Sequence, residues 1–176
     1  MFSHRRYAAV GIASAAAVGL VSAACGGGTS AGTTVTSACD ASYKTWASGP
    51  HGTAAFQQVS ADAGTVSTDL QQVASSNYAA SAVTRTFSAG GKLGVDSNQA
   101  LQNLPPSCVA GFARLYHVAL TYTRQGSVDI MAAMTALRLG NQSAAESAVG
   151  AYASDIGSAQ RNIHAAQAAI TKETKS

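Results

Sequence analysis

The chain has 176 residues, 47% of them hydrophobic and only 11% charged, with 11 Lys and Arg against 8 Asp and Glu. That length suits a single domain large enough to bury a core, and the near balance of charge removes the electrostatic basis for binding nucleic acid. Its three cysteines cannot all pair with one another.

His4, Arg5 and Arg6 precede a run of apolar or small residues from Tyr7 to Ala24. A basic start, a short apolar middle and small residues at a cleavage point are the parts of a secretory signal peptide, so residues 1–24 are read as removed on export. The run reaches the lower edge of membrane-spanning length, which leaves an uncleaved anchor as the alternative. Its Ala and Gly content and the lack of a following stop-transfer charge argue against that. Leu20-Val21-Ser22-Ala23-Ala24-Cys25 resembles the lipobox of bacterial lipoproteins, in which the cysteine thiol receives a diacylglycerol before cleavage. Cys25 is then the lipidation site and the first mature residue. Ser22 stands where Leu is usual, which keeps ordinary cleavage at the same small residues open. Parity favours lipidation: with Cys25 acylated, Cys39 and Cys108 form one disulfide in a compartment where disulfides persist. Loss of Arg5 and Arg6 with the signal leaves nine basic against eight acidic side chains.

Gly26 to Ala38 carries no charge and almost no large apolar residue, so with Cys25 it reads as a lipidated tether, residues 25–38, about 20 Å from end to end. Cys39 to Ser48, with Tyr43 and Trp46 one turn apart, reads as a short helix laid as a cross-piece over one end of a bundle. Phe56, Val59, Ala63, Val66, Leu70 and Val73 recur every three or four residues and predict a helix over 52–74. Ala80, Val83, Phe87, Leu101 and Leu104 fit the same spacing at the two ends of the next helix, whose middle holds Gly90, Gly91 and Gly94. Phe112, Tyr116, Ala119, Ile130, Met134 and Leu137 predict a helix over 109–139, interrupted at Gly126. Val149, Tyr152, Ile156, Ala159, Ile163, Ala166 and Ile170 mark the last, opened by a capping box between Ser143 and Glu146. The breaks fall at Gly49-Pro50, Ser75-Ser76-Asn77, Pro105-Pro106-Ser107 and Gly140-Asn141-Gln142.

Connections this short make consecutive helices antiparallel. The expected fold is all-α: an up-down-up-down four-helix bundle preceded by a short disulfide-clipped N-terminal helix, one domain over 39–173. Such a bundle puts residues 52 and 109 at the same end, and a ten-residue cross-piece of about 15 Å spans that end from Cys39 to Cys108. Folding the middle helices about Pro106 sets Gly90 beside Tyr122. A ring seated over a glycine gap is the simpler reading; a kink or a loop lining a ligand cleft is the other.

Catalytic constellations are missing: the chain has no GxSxG, no HExxH, no glycine loop leading into Lys-Ser or Lys-Thr, and no pair of carboxylates on one helix face. No cofactor is expected. Folding about Asn141 sets His117 and His164 at nearly equal height, and bundle interiors can hold a metal or haem between facing histidines. Each lies one residue, about 100 degrees, off its apolar stripe, which puts both on the flank. Met131 and Met134 read as core filler.

The Ala-rich signal, Cys25-Gly26-Gly27-Gly28, the Tyr43-Lys44-Thr45-Trp46 run after Cys39, and Pro105-Pro106-Ser107-Cys108 resemble the small helical lipoproteins of actinobacteria over nearly the whole chain. The resemblance implies a helical domain anchored to the outer face of the cell membrane and carries no active-site residues. The resulting expectation is a non-catalytic binding or scaffolding module of the cell envelope, its partner an envelope protein or a small apolar ligand. A metal- or haem-binding carrier using His117 and His164 is the alternative.

Overall fold

Among residues 33–173, which the computed structural model describes, the spacing of three and four becomes five α-helices and no strand. They are α1 (Thr33–Ser48), α2 (Thr53–Ser75), α3 (Ala80–Leu101), α4 (Ala110–Arg138) and α5 (Gln142–Glu173), with a 3-10 turn (Ser107–Val109) ahead of α4. The expected signal peptide, Cys25 and the first part of the expected tether lie outside the described residues. The helical stretch begins earlier than composition suggests: α1 starts at Thr33, well before Cys39 and within the glycine-rich stretch read as a tether. A helix is costly to nucleate and easy to extend, so the packed half of α1 carries its polar half along.

α1 stops at Gly49, whose N–H donates to the carbonyls of Thr45 and Trp46 at 3.1 Å, and Pro50 cannot continue the helix. α2 ends in a left-handed pair, Asn77 and Tyr78, with the Tyr78 N–H closing onto the Val73 carbonyl at 2.9 Å. Gly140, with φ of 71°, turns the chain after α4 at little cost because it has no Cβ. The cap of α5 differs from the expected box. Asn141 Oδ1 accepts the Ala144 N–H at 3.1 Å, while the Gln142 amide donates to Glu146.

α2 packs on α3, α3 on α4 and α4 on α5, and Phe56 of α2 and Ile163 and Ala166 of α5 line one small void, so the outer helices meet across the interior. Val66, Leu93, Leu120, Ile130, Met134 and Tyr152 are all but excluded from solvent. Each of the first five contributes about 1.5–3 kcal/mol through burial. Thr86, Thr123 and Ser127 also lie in this interior, their hydroxyls donating to carbonyls of their own helices, so they cost little.

The glycines do not interrupt their helices, and their gaps are filled. Gly90 lies against Ile130, Met131 and Ser127, and a Cβ there would come within 2.6 Å of the Ile130 side chain. Gly94 lies against Ser127, and Gly126 against Tyr152 and Ile156. Tyr122, the expected neighbour of Gly90, is instead 38% exposed. The true partners lie roughly two turns further along α4. The reason is the connection: residues 102–109 run through an extended Pro106 and a 3-10 turn, so the two helices are not symmetric about that proline.

Candidate functional site

The densest chemistry lies at the end of the bundle where α1 meets the starts of α2 and α4. Trp46 is the hub. Its ring meets those of Phe112 and Tyr116 edge-on, with centroids 5.9 and 5.5 Å apart, and its Nε1–H donates to the Asn103 carbonyl at 2.8 Å. Tyr43, one turn earlier, adds an edge contact to Phe112 at 5.6 Å, and Phe56 reaches Tyr116 at 5.8 Å. Pairs of this geometry contribute about 0.5–1.5 kcal/mol each beyond the area they bury.

Between these rings and Ile163, Ala166 and Gln167 a void of about 10 Å³ remains. That is room for one water at most, not for a ligand. The Tyr116 hydroxyl is buried there without a hydrogen-bond partner, and burial first, then the nearby Tyr43, push its ionisation well above the ordinary phenolic value. Burial raises Tyr43 as well.

At the rim, α1 brings Cys39 into disulfide geometry with Cys108, their Cα atoms 5.7 Å apart. Cys108 is exposed and Cys39 partly so. Also at this end, the Glu173 carboxylate accepts the Gly111 N–H at 2.9 Å and sits 3.5 Å from the Phe112 nitrogen, so the last turn of α5 caps the first turn of α4. A carboxylate there is favoured by the unpaired amides and by the helix dipole.

Charged groups gather elsewhere in a pattern the sequence reading did not find. Asp62 of α2, 6% exposed, takes the Lys92 ammonium of α3 at 2.8 and 2.9 Å, and Lys92 also reaches Asp96 at 2.8 Å. Burial raises the Asp62 carboxyl above its usual range against the pull of Lys92, while Lys92 lowers Asp96. Across α4 and α5, Asp155 is raised by burial and then by the neighbouring Asp129 carboxyl. Carboxylates therefore do pair, but between helices. The first pair could have been found in sequence, because Asp62 interrupts the buried stripe between Val59 and Val66 and Lys92 and Asp96 stand one turn apart. The Lys92 ammonium, its side chain 55% exposed, is held between the two carboxylates at the surface edge of α2 and α3, with only Asp62 buried beneath it.

His117 and His164 are both exposed. Among the described residues no group of three or more His, Cys, Asp or Glu is placed to hold a metal ion. Met134 is fully buried in the core, and Met131 packs against Gly90 and Gly91. No helix among the described residues is long and apolar enough to cross a membrane. No family model matches the chain, and no curated protein and no solved structure matches it.

Proposed function

We propose that this protein is a non-catalytic lipoprotein of the cell envelope, anchored through an acylated Cys25 to the outer face of the membrane and acting as a binding or scaffolding module. On this reading α2 to α5 run up, down, up and down, and a Cys39–Cys108 disulfide clips α1 to one end. The observation that carries the functional part is the filled interior. Gly90, Gly94 and Gly126 are occupied by side chains from neighbouring helices, and the void between the rings around Tyr116 is water-sized, while Trp46, Leu104 and Pro106 line a shallow hollow open to solvent. With the interior filled among the described residues, the partner on this reading meets the surface, where Val95 of α3 and Val128 of α4 are 66% and 50% exposed.

Two measurements on cells producing the protein test this. Mass spectrometry of the N-terminal peptide is expected to find diacylglycerol on Cys25, and Cys25→Ala is expected to move the protein from the membrane to the soluble fraction. An unmodified Cys25, or membrane retention without it, removes the anchor. A photocrosslinker at position 95 or 128 is expected to give a discrete adduct in the envelope; recovery of unreacted protein alone removes the binding module.

A further inference from the structure

The side chains seen to fasten α1 to the bundle, Cys39, Tyr43 and Trp46, lie on one stripe, and no described residue of α1 is buried. Each of α2 to α5 buries several residues of its own. A sixteen-residue helix is marginal in water, so α1 holds its shape by docking. The stripe is fixed at its C-terminal end by the rings around Trp46 and the turn at Gly49, and at its N-terminal end by Cys39 against Cys108. Cys108 stands at the surface. Beneath α1 lie Phe56, Phe112 and Tyr116, ring surfaces continuous with the core.

We infer that the Cys39–Cys108 bond is a redox latch on α1: a dithiol reductant opens it, α1 leaves the end of the bundle, and the aromatic face beneath becomes accessible while α2 to α5 stay packed. One thiolate of the dithiol attacks the Cys108 sulfur, the bond to Cys39 breaks, and Cys39 leaves as a thiolate and takes a proton. The second thiolate of the reductant then displaces Cys108 from the mixed disulfide. The reductant ends as its own disulfide, and the protein has gained two electrons and two protons as two thiols. The inference rests on the pairing of Cys39 with Cys108 proposed above and not on the lipid anchor.

Trp46 is the chain's single tryptophan and lies on α1, so its emission reports α1 directly. In protein purified from cells, alkylation and mass spectrometry are expected to find no free thiol at Cys39 or Cys108 before reduction. Free thiols at that stage overturn the pairing itself, a failure separate from that of the latch. After treatment with a phosphine reductant without denaturant, both cysteines are expected to be alkylated and Trp46 emission to shift to the red, with quenching by acrylamide rising several-fold. Far-ultraviolet circular dichroism should lose no more helix than α1 contains. Trp46 still shielded with both thiols alkylated, a bond that resists the reductant, or loss of most of the helical signal each overturns the latch. The paired variant Cys39→Ser/Cys108→Ser is expected to show the released Trp46 without reductant; if it does not fold, the reduced natural protein decides.

Discussion

α1 and the four helices that follow it are built from the same small, weakly polar residues, yet they are held in different ways. α2 to α5 each present a stripe that neighbouring helices cover, so Val66, Leu93, Ile130 and Tyr152 are sealed from water. α1 presents Cys39, Tyr43 and Trp46, each only partly covered, against one end of that core. The contrast shows that similar composition yields either an integral helix or a docked one, according to how many neighbours a stripe finds. An integral helix shares the stability of the whole; a docked helix opens on its own account.

The sharpest way to break that distinction is to remove one anchor from each part. Leu93→Ala, in the fully buried stripe of α3, is expected to cost about 3 kcal/mol and to lower the urea midpoint of the entire bundle. Tyr43→Ala is expected to raise amide hydrogen exchange in α1 alone. If it lowered protection equally in α3 and α4, α1 would be integral after all.

Alkaline pH acts on both parts at once. Burial raises the phenols of Tyr43, Tyr116 and Tyr152 above their ordinary value of 10.0. Between that value and the higher folded one, the native chain keeps protons that the unfolded chain loses, so stability falls as pH rises. The slope approaches about 1.4 kcal/mol per pH unit only for a phenol fully protonated when folded and fully ionised when unfolded, and Tyr116, the most strongly raised, comes nearest to that. Urea unfolding in steps above about pH 10 checks it, and Tyr116→Phe is expected to remove the largest part of the pH dependence. A stability indifferent to pH in that window would mean the rings are hydrated.

The smallest effect concerns the contact that joins α5 to the start of α4. Glu173→Ala is expected to cost about 1 kcal/mol in thermal unfolding, the usual value of a lost helix cap. An unchanged midpoint would show that water replaces the carboxylate without loss.

Much of this fold is legible in one dimension because a helix writes its buried face into the sequence every three or four residues. Phe56 to Val73 and Val149 to Ile170 fall inside α2 (Thr53–Ser75) and α5 (Gln142–Glu173), the second stripe opening seven residues after its helix does. What depends on several helices at once is not written that way. The neighbour of Gly90 turns on how far the 102–109 connection carries the chain, and counting symmetrically from Pro106 reaches Tyr122 when the structure uses Ser127, Ile130 and Met131. Glu173 on Gly111 joins residues 62 apart, and no local pattern announces it. Asn141 rather than Ser143 caps α5 because the turn at Gly140 presents that side chain to the Ala144 amide. At the aromatic end, Tyr43 and Trp46 are visible as a turn-spaced pair, but their meeting with Phe112 and Tyr116 follows from where α1 is laid, which composition leaves open.

The position of the cysteine pair has a mechanical consequence. With the bond closed, a pull on the chain ahead of α1 passes from Cys39 straight to Cys108, and residues 40–107 become a slack covalent loop that bears no tension. α2 and α3 lie wholly inside that loop and α4 just beyond it, so force is borne by the second half of the bundle alone. With the bond open, the same pull would peel α1 through the Gly49 turn and load α2 first.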